Sequence, residues 1–180
     1  MAKTGRPRVS SQAVLEEAAT ELFLEQGYQA TSIDDIASRA GVSRATFFNY
    51  FGGKADVLLV EIDRALEAFG QAIDHSGDVL AAVLSVASSV SRSDIPLIAQ
   101  QAETMGATDD VTKALLERFA ILKEHVAKTV TEPVWQWAVA GAIAEGAASW
   151  AKGSEGGSLL ETITDAVNQL PPAFMHKPHE

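Results

Sequence analysis

Residues Thr31–Lys54, TSIDDIASRAGVSRATFFNYFGGK, constrain the fold more than any other stretch of this chain. Thr31 is a favourable N-cap, with Asp34 three residues on in the capping-box position. Ile33, Ile36 and Ala37 give the following helix one apolar face. Gly41 stands where a helix ends on a left-handed residue, Val42 can plug the angle beyond it, and Ser43 caps a second short helix. That helix carries Arg44, Ala45, Thr46, Asn49 and Tyr50. Two helices joined by a short turn containing Gly form a helix-turn-helix, whose second helix enters the major groove of DNA. Nucleic-acid binding is the first expectation.

The rest of the chain reads as helix. Val14, Leu15, Ala18, Ala19, Leu22 and Phe23 repeat at helical spacing until Gly27. One long helix is expected from about residue 53 to 75, with Val57, Leu58, Ile62, Leu66, Phe69 and Ile73 on one side. Further helices are predicted over 79–90, from Pro96, from Thr108, from Thr131 through Trp150, and from the capping box at Ser158–Glu161 to Leu170. No strand alternation or repeat interrupts this pattern. The fold class expected is all-α, with about nine helices.

Composition removes several alternatives. The 180 residues include no cysteine, which excludes disulfides, thiolate metal sites and cysteine nucleophiles. No apolar run reaches the roughly 18–20 residues of a membrane span. The polar, basic start is not followed by the apolar segment of a secretory signal, so a cytoplasmic protein is expected. No Ser-His-Asp spacing, metal cluster or phosphate-binding glycine loop is recognisable, and Gly52-Gly53-Lys54 lacks the P-loop pattern. His176 and His179 lack the partners a metal site needs. Neither an enzyme nor a cofactor is expected.

Net charge is −10, unusual for a protein that approaches phosphates. Its distribution resolves the conflict. Up to Lys54 there are six basic and six acidic residues, so the deficit lies entirely beyond that point. Four of the early acids, Glu16, Glu17, Glu21 and Glu25, fall on the first helix, leaving the N-terminal arm and the reading helix positive. An acidic body repels DNA except through its basic face.

The segment AGVSRATFFNYFGGKADVL at Ala40–Leu58 resembles the core motif of the TetR family of bacterial transcriptional regulators. VLEEAATELFLEQGYQATSIDDIA upstream resembles that family's first helix and its Gly-aromatic exit. Phe48 departs from the pattern, standing where the family often has Tyr. The resemblance covers roughly the first 60–65 residues; beyond about residue 70 it extends only to length and helical pattern. It implies three parts: a flexible basic arm at 1–8, a DNA-binding domain at 9–69 with its helix-turn-helix at 32–51, and a regulatory, dimerising domain at 70–180.

Arg44, Ala45, Thr46 and Asn49 are then the candidates for base edges: Arg favours guanine, Asn favours adenine and Thr can meet a thymine methyl. Tyr50 and Lys54 match family positions that contact phosphate. Thr31, Ser32 and Ser43, at helix starts, suit phosphate through hydroxyl and backbone N–H groups. Arg6 and Arg8, around Pro7, suit a narrow minor groove, although the same residues also fit a solvated terminus. Phe47 and Phe51 read as core. Phe48 could touch sugar or simply cover the core.

In the body, the Ala- and Gly-rich segment Trp135–Trp150 and the helix at Leu159–Leu170 resemble the pair that builds the family's four-helix dimer interface. The seam residues expected are Ala138, Ala142, Ser149, Ile163 and Val167; burial within one chain is the alternative. Phe69, Met105, Phe119, Leu122, His125 and Trp137 could line a cavity for a small hydrophobic effector, or be ordinary core. The expected function is a homodimeric repressor on a pseudo-palindromic operator, released when an effector binding between the middle helices moves the helix that begins at Lys54. The alternative is a DNA-binding protein controlled by a protein partner, or used architecturally.

Overall fold

The computed structural model describes residues 11–91, 106–153 and 157–170. Among them are nine α-helices and no strand. These are α1 (Ser11–Gln26), α2 (Ile33–Arg39), α3 (Arg44–Phe48), α4 (Lys54–Leu58), α5 (Val60–Ser76), α6 (Val79–Ala87), α7 (Thr108–Val126), α8 (Pro133–Ala151) and α9 (Leu159–Asn168). Most starts follow the chemistry of their first turn. Asp78 caps α6, Pro133 opens α8 and Ser158 forms a capping box with Glu161.

The single helix expected over 53–75 is two helices. Leu59 interrupts it at φ −111° and ψ 10°, with its N–H on the carbonyl of Asp56. The side chain is buried against Ala55 and Ala114. The apolar pattern runs unbroken through this point, so periodicity does not register the break. The helix expected from Pro96 lies outside the described residues.

The chain divides into two compact units. The first comprises residues up to Val60 together with a later piece, described over 106–114, that includes the start of α7. Its core joins Leu15, Ala19 and Phe23 of α1 to Tyr28, Ile36, Phe47 and Ala107. The second unit holds α5, α6, the remainder of α7, α8 and α9. Phe69, Ile73, Ala82, Val126, Ala140, Ile143, Trp150 and Ile163 form its core. Helices α8 and α9 approach closely at Gly146, where an added Cβ would lie 2.5 Å from the Cα of Ile163 and 2.8 Å from the carbonyl oxygen of Thr162. Only a residue without a side chain fits between these backbones.

Candidate DNA-reading site

The site is built from a turn that sequence chemistry fixes tightly. Gly41 adopts φ +68°, a conformation that disfavours any residue with a Cβ. The N–H of Val42 donates to the carbonyl of Ala37 at 2.9 Å, closing a Schellman-type end for α2. Ser43 follows as the N-cap of α3, its hydroxyl accepting from the N–H of Thr46 at 3.1 Å. Phe47 is fully buried and its ring lies 5.4 Å from that of Phe51. One side of α3 is thereby fixed in the core. Ser43, Arg44, Ala45, Asn49 and Tyr50 are exposed on the remainder, and Thr46 is half-buried.

Of the residues expected at the DNA surface, Thr31 faces inward. Thr31 is 1% exposed, and its hydroxyl donates to the carbonyl of Gly27 at 2.8 Å. It neither caps α2 nor can meet a phosphate. Ser32 is the cap: its hydroxyl accepts from the N–H of Asp35 at 3.1 Å, and Asp35 accepts from the N–H of Ser32 at 2.9 Å. These bonds from Ser32 hold the Asp35 carboxyl below its ordinary pKa. Lys54 is half-buried. Its ammonium donates to the carbonyls of Tyr28 and Thr31, both at 2.8 Å, and sits 4.3 Å from the centre of the Tyr28 ring. Burial lowers its pKa, against a smaller opposing pull from the Asp110 carboxylate. Lys54 ties the start of α4 to the turn before α2 with two of its three N–H donors.

Sequence reasoning missed two fastenings. Arg39 on α2 bridges Glu21 at 3.1 Å and Glu25 at 2.7 Å on α1. The hydrogen bond from Arg39 lowers the pKa of Glu25. The Tyr28 hydroxyl donates to Asp110 at 3.0 Å, and Gln29 donates to the carbonyl of Gly106. Burial, then the bond to Asp110, raises the phenol's pKa well above its ordinary value. Partners 82 residues apart leave no trace in local spacing.

Arg6, Arg8 and Met105 lie outside the described residues. The expected cavity residues of the second unit differ in their surroundings. Phe69 and Leu122 are core, Phe119 packs against that core, and Trp137 is 52% exposed with its ring 5.6 Å from that of Phe119. His125 borders a surface groove of about 450 Å³ between α5 and α7, lined also by Asp63, Leu66, Glu67, Gly70 and Ile121. Its buried Nδ1 has no hydrogen-bond partner among the described residues. Burial, then the Lys128 charge, lowers its pKa, with Asp74 opposing. Of the expected seam, Ala142 and Ile163 are buried within their own chain, whereas Ala138, Ser149 and Val167 are partly open. No described helix is long and apolar enough to cross a membrane.

Residues 15–60 match the bacterial regulatory proteins of the tetR family. The HTH-type transcriptional regulator HbdR of Aromatoleum sp. (strain CIB) is 45% identical over 56 residues, 31% of this chain and 24% of that protein. The HTH-type transcriptional activator FasR of Mycolicibacterium smegmatis is 36% identical over 61 residues, 34% of this chain and 28% of that one. The chain thus spans only about a quarter of the length of these relatives. Among solved structures, Thermus thermophilus FadR, a TetR-family transcriptional repressor in complex with lauroyl-CoA, shares the fold at a TM-score of 0.54. It is 22% identical, over 94% of this chain and 97% of that one. Through its residues 15–60, the chain is similar to the tetR family of bacterial regulatory proteins.

Proposed function

We propose that this chain is a homodimeric, cytoplasmic transcriptional regulator that reads a pseudo-palindromic operator through α3. The observation that carries the reading is the two-sided character of α3. Phe47 fixes one side in the core, while Arg44, Ala45, Asn49 and Tyr50 stand in solvent on the other. Arg44 and Asn49 supply the side chains that pair with guanine and adenine edges, and Ala45 and Thr46 offer methyl groups to thymine. Ser32, Ser43 and Tyr50 take phosphates, and Arg6 and Arg8 take the adjacent minor groove. Lys54 and Thr31 serve this surface from behind, as fastenings.

Dimerisation through the outward faces of α8 and α9 would set two reading helices about 34–36 Å apart, one turn of duplex. Gly141 on α8 supports this. A Cβ there meets nothing within 4 Å, so the described residues give no packing reason for a mid-helix glycine. Control by a small effector is the further part of the reading. The groove at His125 lies within the size range of small-molecule sites. Its lining by Leu66 and Ile121, with Glu67 beside them, suits an apolar molecule with a neutral or cationic end. The second reading is control by a protein partner.

The test begins with a duplex selected from a random-sequence library by the full-length chain. Fluorescence anisotropy should show Arg44→Ala and Asn49→Ala each losing about 1–3 kcal/mol on that duplex, with relaxed preference at one base pair. Tyr50→Phe should lose affinity evenly across sequences. Failure to enrich any sequence would overturn the reading. Gly141→Leu addresses the seam by sedimentation: a folded monomer supports it, and an intact dimer with normal DNA affinity moves the interface elsewhere. A thermal-shift screen of small amphiphiles decides between effector and partner.

A further inference from the structure

Arg44 is the most informative side chain on α3, and it does not stand alone in solvent. Its Nη1 lies 2.9 Å from Oδ2 of Asp34 on α2, and its guanidinium carbon lies 5.2 Å from the centre of the Phe48 ring. Asp34 and Arg44 are both more than half exposed, and Phe48 is 46% exposed. An ion pair this open contributes little to stability. The Phe48 ring, in turn, is too exposed to be retained for burial alone. Phe48 is itself oriented from beneath, edge-on to the buried ring of Phe47 at 5.5 Å. Asp34 stands in the first turn of α2, whose start Ser32 and Asp35 lock. Both flanks of the guanidinium are thus mounted on fixed elements.

We infer that Asp34 and Phe48 are positioning residues that hold Arg44 ready for a base edge, and so set sequence preference at the base pair Arg44 reads. The inference rests on the DNA-reading function proposed above. A free arginine side chain has several rotatable bonds, and fixing them on binding opposes recognition. Here the face of a ring limits where the guanidinium can lie and a carboxylate restrains its direction. Arg carries five N–H donors, so with Nη1 on Asp34 it retains others for the two acceptors of guanine. Asp34 adds a second effect. A carboxylate at the DNA-facing surface repels phosphate, so it lowers affinity for every duplex while sharpening the difference between them. Phe rather than Tyr at position 48 suits this role, because the restraint needs only the ring.

The experiment uses the full-length chain, a duplex it has selected from a random library, and a panel substituting each base pair in turn. Phe48→Leu and Asp34→Asn should each reduce preference at one base pair by about three- to tenfold, the scale of freeing one long side chain. Preference elsewhere should not change. Phe48→Tyr should keep it, and Asp34→Asn should bind unrelated duplexes more tightly. Arg44→Ala identifies which base pair is at issue. If Arg44→Ala abolishes preference there while Phe48→Leu and Asp34→Asn leave it intact, the positioning role is overturned and the reading function stands. If Asp34→Asn sharpens preference, Asp34 is a competitor for Arg44 and the inference also falls. If Arg44→Ala relaxes no position, base reading by Arg44 fails first. Losses spread evenly over all positions, with a lowered melting temperature, would make the two residues merely structural.

Discussion

The two units solve the same problem, closing helices around a core, by different means. In the first, single side chains carry identifiable tasks. Gly41 turns the chain, Ser32 and Ser43 cap, Thr31 and Lys54 bind stray carbonyls, and Arg39 joins two helices. In the second, closure is collective, and α8 against α9 is the most extensive helix pair in the described residues. Its critical residue acts by what it lacks: Gly146 leaves room for the Ile163 backbone. Short helices of five or seven residues cannot hold by packing alone, because isolated helices of that length are unstable. They need polar fastenings, whereas long helices need fit.

That difference is open to attack, and the largest effect should fall on fit. Gly146→Val forces backbone apart, with contacts below 3 Å that no rotamer change relieves. It should destabilise the second unit by about 3 kcal/mol or more, read as a fall in denaturation midpoint by circular dichroism. A loss under about 1 kcal/mol would show that α8 and α9 slide apart easily. Next, Thr31→Val keeps shape and removes one buried hydroxyl, leaving carbonyls of the first unit short of a donor. It should cost about 1–3 kcal/mol, and an unchanged denaturation midpoint would deny fastenings their weight.

Smaller still is the link across 82 residues. Asp110→Ala should cost about 1 kcal/mol and let Tyr28 ionise more readily, seen by absorbance at alkaline pH. The sign follows from the raised pKa. In the wild type the folded state holds the phenolic proton more tightly than the unfolded chain. Stability is therefore complete below the ordinary tyrosine pKa of about 10 and declines as pH rises beyond it. His125 gives the opposite direction. Its lowered pKa makes stability complete above about pH 6.5 and erodes it as pH falls below that value. His125→Phe should flatten that acid limb in urea titrations, and an identical slope would remove the histidine from the account. Smallest is Gly141→Ala, a gain of about 0.5–1 kcal/mol in the chain alone, since the added carbon meets open space. A loss instead would mean that something closes on it.

Legibility in the sequence followed the same division. The turn at Gly41, the cap at Ser43, the buried Phe47 and the box at Ser158 depend on neighbours within a few residues, and all were readable. The register of the α2 cap was not. Thr31 with Asp34 and Ser32 with Asp35 satisfy the same local rule, and only the burial of Thr31 separates them. Lys54 reads only as a phosphate contact because the carbonyls it holds lie 23 and 26 residues upstream. Trp137 reads as core because aromatic rings usually are, yet half of it is open. The break at Leu59 hides inside a continuous apolar pattern.

The inclusion of residues 106–114 in the first unit bears on inheritance. The stretch that marks the family ends at residue 60, and a crossover there looks clean on paper. It would nonetheless deprive Tyr28 of Asp110, Gln29 of Gly106, and the core of Ala107. A lineage trading reading heads must therefore carry a second, distant strip of sequence with them or repair the seat afterwards. The unit of exchange is a place in space, and the gene holds it in two pieces.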